Sequence, residues 1–81
     1  MTEIDRFKSY MELCGIYSNK QLVTEGEYPK TEQWLGRVLN GTVPFSDIER
    51  KRCYDAVNIA RAKRLRKQAE ELEGVANEQI Q

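Results

Sequence analysis

Histidine is absent from this chain. The commonest general base and the commonest metal ligand are therefore missing, and no Ser–His or Cys–His catalytic pair can be assembled. Cysteine is scarce: Cys14 and Cys53 stand far apart with no CxxC spacing. Two are too few for structural zinc, and a secreted chain this small would normally carry more. Each falls on the apolar face of an expected helix, so both read as reduced, buried thiols. Long apolar runs are missing, so nothing reads as a membrane span, and no secretory signal pattern is visible. The cytoplasm is the expected location, in a bacterium or a phage-infected host. No Gly-rich loop follows a strand, and no strand is readable at all. A helical chain of 81 residues has little room for a catalytic cleft. Enzymatic activity, a metal site and a cofactor are not expected.

Net charge is also missing. Thirteen basic residues balance thirteen acidic ones, which argues against a generic polyanion binder. The distribution is uneven, however. Between Arg50 and Lys67 eight bases (Arg50, Lys51, Arg52, Arg61, Lys63, Arg64, Arg66, Lys67) face one acid, Asp55. From Gln68 onward there are Glu70, Glu71, Glu73 and Glu78 and no base. A local surplus of this kind is an electrostatic footprint even in a neutral chain, although a charge run alone is more often a solvated helix face.

What is present is helix-forming pattern. Ile4, Phe7, Met11 and Cys14 recur at 3-4-3 spacing, flanked by Tyr10 and Leu13, and predict a helix over 3–14 with Thr2 as cap and Gly15 as stop. Ser18 to Gly26 reads as a second, short helix. Ser18 and Gln21 form a capping box, Leu22 and Val23 point inward, and Gly26 marks the C-terminal turn. Glu27-Tyr28-Pro29-Lys30 connects onward, since Pro29 biases Tyr28 away from helical geometry. Thr31 to Gly41 is a third helix. Thr31 caps it, Trp34, Leu35, Val38 and Leu39 form its buried stripe, and Gly41 ends it in the left-handed conformation. Glu32, Gln33, Gly36, Arg37 and Asn40 are left outward. Thr42 to Phe45 is an extended linker. Ser46, Asp47 and Glu49 then form a further N-terminal signature with a capping box. From there to about Glu73 no Pro or Gly intervenes. Ile48, Cys53, Ala56, Val57 and Ala60 make the face that closes the core. Beyond it Ala62, Leu65, Ala69, Leu72 and Ala76 keep the spacing of a short coiled-coil seam, and Val75 to Gln81 read as a frayed end. The fold class is all-α: four to five helices, with a central helix-turn-helix and a long C-terminal helix. The core spans 1–60 and the extension 61–81.

Two short capped helices in succession, one helix before and one after, resemble the helix-turn-helix of the Cro and phage-repressor (lambda-repressor-like) type. The matching residues run from Gly15-Ile16 to Asn40-Gly41, and the ending Trp34-Leu35-Gly36-Arg37-Val38-Leu39-Asn40-Gly41 is especially similar. The turn from Gly26 to Thr31 is longer than is usual for that family. The resemblance implies a sequence-specific regulator of transcription, a repressor or Cro-like protein of phage or bacterial origin, whose partner is double-stranded DNA. Helix 31–40 would enter the major groove. Gln33 would pair with adenine, Arg37 with guanine and Glu32 with cytosine, and Gly36 would let the backbone approach the bases. Ser18, Asn19 and Lys20 would contact phosphates, with Lys30, Thr31, Asn40 and Thr42 flanking the same surface. Proteins with this motif commonly read palindromic sites as dimers, which would use the seam Ala62, Leu65, Ala69 and Leu72. The basic segment 61–67 would either touch the DNA backbone or flank that seam. A reading of another class stands beside this one: a helical protein-interaction module, such as an antirepressor, antitermination or adaptor protein, acting through its C-terminal helix. The zero net charge and Glu32 favour it.

Overall fold

The computed structural model describes residues 1–74 in full and carries the backbone of the last helix on to Ile80. The expected frayed end over 75–81, and Ala76 in the seam, lie outside the described residues. Four helices follow one another: α1 (Glu3–Leu13), α2 (Asn19–Glu25), α3 (Glu32–Leu39) and α4 (Asp47–Ile80). The fold is all-α with a long C-terminal helix, and no fifth helix appears among the described residues.

The first three helices begin where their side chains can satisfy free backbone N–H groups. Thr2 accepts from the Asp5 amide while Asp5 reaches back to the Thr2 amide, a reciprocal pair at the start of α1. Ser18 and Gln21 do the same for α2, and Thr31 accepts from the Trp34 amide at 3.1 Å. Each such cap stabilises by about 0.5–2 kcal/mol, which matters because helices this short do not hold in water alone. At the start of α4, Ser46 accepts from the Glu49 amide, but the expected capping box is not completed. The Glu49 carboxylate turns inward instead, only 6% exposed, and accepts from Tyr28 Oη, Trp34 Nε1 and Arg52. Three converging donors compensate a carboxylate better than one backbone amide does.

The core is one cluster. Phe7 and Met11 from α1, Ile16, Leu22 from α2, Tyr28, Leu35, Val38 and Leu39 from α3, and Cys53, Ala56, Val57 and Ala60 from α4 are all buried. Phe7 stands edge-on to Tyr54, with centroids 5.1 Å apart, and also meets Phe45, tying α1 to α4 and to the linker. The stripe of α4 is mostly small, so its neighbours come close. A Cβ on Gly26 would sit 2.6 Å from the Leu22 carbonyl oxygen and 2.8 Å from the Ala56 carbonyl carbon, and closer still to the Ala56 carbonyl oxygen. Gly26 is therefore required by contact with α4, not by chirality; the left-handed position of that turn is taken by Glu27, at φ 53°. Gly41 does adopt the left-handed conformation, at φ 86°.

Two residues assigned to apolar faces prove to be outside. Ile48 is 63% exposed and Leu13 is 86% exposed. Ile48 lies in the first turn of α4 on the side of the exposed Lys51 and Asp55, away from the inward-turned Glu49, and Leu13 is the last residue of α1. Of the thiols, Cys53 is buried but Cys14 is only half-buried, and both are free. No helix among the described residues is long and apolar enough to cross a membrane.

Candidate nucleic-acid interface

The spacing of α3 puts Trp34, Leu35, Val38 and Leu39 on its inner side, and the inward pull of these residues fixes what faces out. Leu35 and Val38 are fully buried, a contribution of roughly 1.5–3 kcal/mol each. Trp34 is half-buried and anchored by its Nε1 donating to Glu49 at 3.3 Å; it belongs to the core and is no platform for a base. Glu32, Gln33, Arg37 and Asn40 are exposed on the other side, with Gly36 among them. Among the described residues, no side chain holds Glu32, Gln33 or Arg37 by a hydrogen bond or an ion pair.

The first turn of α2 adjoins this face. A Cβ on Gly36 would lie 3.8 Å from Asn19 Nδ2, so the missing side chain leaves ordinary contact distance between the helices. Asn19, Gly36, Leu39 and Asn40 together line a shallow groove of 340 Å³, whose far wall is formed by Lys8, Met11 and Glu12 of α1 and by Tyr17. Ser18, Lys20, Lys30, Thr31 and Thr42 are all exposed. Some of these groups already have partners. The Ser18 and Thr31 hydroxyl oxygens accept cap bonds, leaving their O–H groups to donate outward. Asn40 Oδ1 accepts from the Thr42 amide at 2.9 Å, so only its Nδ2 end is free to read a ligand. Lys8, Glu12 and Tyr17 were not among the residues expected here. The i, i+4 relation of Lys8 to Glu12, on the side of α1 away from Phe7, was the available signal.

The basic run over 50–67 is largely neutralised. Arg50 pairs with Glu3 and Asp47, Lys51 with Asp55, and Arg52 with Glu49. Lys63 reaches Glu27, and Arg64 reaches Glu25. The Arg64 pair is bidentate, at 3.0 and 2.9 Å, and holds the Glu25 carboxyl below its ordinary range. Arg64 also donates to the carbonyl oxygens of Cys14 and Gly15, capping the end of α1. Arg61, Arg66 and Lys67 form no ion pair among the described residues, and the seam residues Ala62, Leu65, Ala69 and Leu72 are exposed. Among the described residues, neither Arg66 nor Lys67 pairs with Glu70, Glu71 or Glu73 along the helix. No cluster of three His, Cys, Asp or Glu side chains suited to a metal ion occurs among the described residues.

No protein-family model, no curated protein and no solved structure matches this chain.

Proposed function

We propose that the chain is a sequence-specific double-stranded DNA-binding regulator of transcription, with α3 in the major groove. One observation carries the reading: α3 turns an uncommitted set of hydrogen-bonding side chains outward around a glycine, flush with the first turn of α2. A recognition helix needs this arrangement. Its base readers must be free of internal partners, and its backbone must come close to the base edges. Gln33 and Arg37 are the base readers, each good bidentate pair being worth about 1–3 kcal/mol of discrimination. Lys20 and Lys30, with the outward O–H groups of Ser18 and Thr31 and the amide nitrogens of Asn19 and Asn40, fix register on the phosphates. Thr42 lies at the edge of the same surface, and Glu32 faces cytosine N4. The mechanism is occupancy: the bound protein blocks or recruits polymerase, as a repressor or Cro-like regulator does.

The test is fluorescence anisotropy with a labelled duplex from the protein's own upstream region, beside a scrambled duplex, at several salt concentrations. Preference for the native duplex, with affinity falling steeply as salt rises, supports the reading. Equal or absent binding to both at low salt overturns it. The exposure of Leu65 and Leu72 favours a second reading, a protein-interaction module acting through α4. Under that reading Leu65→Asp and Leu72→Asp abolish function, while changes on α3 do nothing.

A further inference from the structure

The second half of α4 carries an apolar face that its own chain leaves uncovered. Leu65 is 57% and Leu72 65% exposed, and Ala62 and Ala69 lie open between and beside them. At ~100° per residue, Leu65 sits more than a quarter-turn around the helix from Ala60, the last core residue. A second helix laid along this face therefore clears the folded body. Upstream on the same side stand Asn58, Asp55 and Lys51, so the face begins at Ala62. At that end it continues into a groove of 410 Å³ between α1 and α4, lined by Leu13, Tyr10, Arg61 and Leu65 among others.

The charges beside the face choose the occupant. One edge carries Arg66 and, two turns on, Glu73; the other carries Arg61 and Gln68. Arg66, Lys67, Glu70, Glu71 and Glu73 have no ion-pair partner among the described residues. A second copy of α4 running parallel would set Arg61 against Arg66 and Glu73 against the uncharged Gln68. Running antiparallel, it sets basic residues over acidic ones twice, because a two-fold axis repeats every contact. Its layers would also place Leu72 of each copy over Ala69 of the other, large on small. We propose that this face is covered by a second copy of the chain with its α4 antiparallel, Arg66 of each copy facing Glu73 of the other. The two folded bodies then stand at opposite ends of the pair.

Sedimentation equilibrium on the full chain, without DNA, tests this. The expected result is a concentration-dependent dimer, because the seam is only two leucines long on each helix. Arg66→Glu weakens it about tenfold by turning both cross pairs repulsive, Arg66→Glu with Glu73→Arg restores it, and Leu72→Asp abolishes it. All these residues are exposed, so far-UV circular dichroism stays unchanged. A parallel pair responds with the opposite sign, since Arg66→Glu relieves its clash with Arg61 and tightens it. A monomer up to near-millimolar concentration, a dimer that Arg66→Glu tightens or leaves alone, or one indifferent to Leu72→Asp overturns the proposal. Because no DNA is present, the outcome is independent of the proposed function. A dimer that binds no duplex retires only the DNA reading, and a monomer that binds its operator retires only the dimer.

Discussion

Arg64 and Glu25 meet across thirty-nine residues of sequence through two hydrogen bonds, Nε to Oε1 at 3.0 Å and a terminal guanidinium nitrogen to Oε2 at 2.9 Å. The same guanidinium donates to the Cys14 and Gly15 carbonyl oxygens just past α1, so one side chain joins α2, α4 and the end of α1. Arg64→Ala is expected to cost about 1–2 kcal/mol, the charge-assisted bonds being discounted because both side chains are about one-third exposed. Urea titration measures this. An Arg64 whose loss left the midpoint unchanged would be decorative.

The same pair makes stability depend on acid. Its partner depresses the Glu25 carboxyl below the ordinary value of 4.5. A depressed carboxyl contributes stability that is complete above that value and is lost as pH falls through the lower, folded one. Glu25→Gln should flatten the acid limb of a stability profile below about pH 4.5 and lower the plateau above it. Wild-type and variant profiles that stay parallel down to acid pH would contradict the linkage.

Glu49→Ala removes the acceptor shared by Tyr28, Trp34 and Arg52. Buried donors left unpaired cost about 1–3 kcal/mol each, so the loss should exceed that for Arg64→Ala. The Trp34 emission should shift, reporting the freed indole N–H. Glu49→Gln, which retains an oxygen, should recover part of the stability.

Gly26 and Gly36 should respond to alanine with opposite signs. At Gly26 the methyl collides with the backbone of α4, and overpacking of this kind costs about 1–3 kcal/mol. At Gly36 the nearest atom is 3.8 Å away, and replacing a mid-helix glycine gains up to about 1 kcal/mol. Gly36→Ala should thus melt later. If α3 reads DNA, it should also bind its operator more weakly, a pairing of effects that a purely structural glycine would not produce.

Burial pushes the Cys53 thiol up to about 12, which leaves almost no thiolate near neutrality. In the native protein a thiol reagent should therefore modify Cys14 alone, with Cys53 reacting only on unfolding. Two equally fast thiols would show that the core opens around Cys53.

Arg37→Ala should narrow the gap between operator and scrambled duplex, whereas Lys20→Ala should weaken both alike and flatten the salt dependence. A uniform loss from Arg37→Ala would make it another phosphate contact.

The local parts of the fold were legible because they are written in neighbouring residues. Ser18 with Gln21, Thr31 before α3, and the Trp34–Leu39 stripe each announce themselves within a turn or two, and α3's outward face follows from its inward one. What sequence could not reveal are relations between distant residues. Glu49 looked like half of a capping box because its spacing from Ser46 allows one; its turn inward depends on Tyr28 and Trp34, which only the folded chain brings near. The basic run looked like a footprint for the same reason: Glu25 and Glu27, which neutralise Arg64 and Lys63, lie at the end of α2 and in the turn after it. Lys8 and Tyr17 became part of the α2–α3 surface only through the packing of α1.

Three of the four helices are at most eleven residues long, below the ~12–15 residues that persist unaided in water. The fourth carries the buried Cys53, Ala56, Val57 and Ala60 on which α1 and α2 rest. Residues 1–45 without α4 therefore lack the surface that covers their apolar stripes, and a fragment ending there should show little helix by circular dichroism.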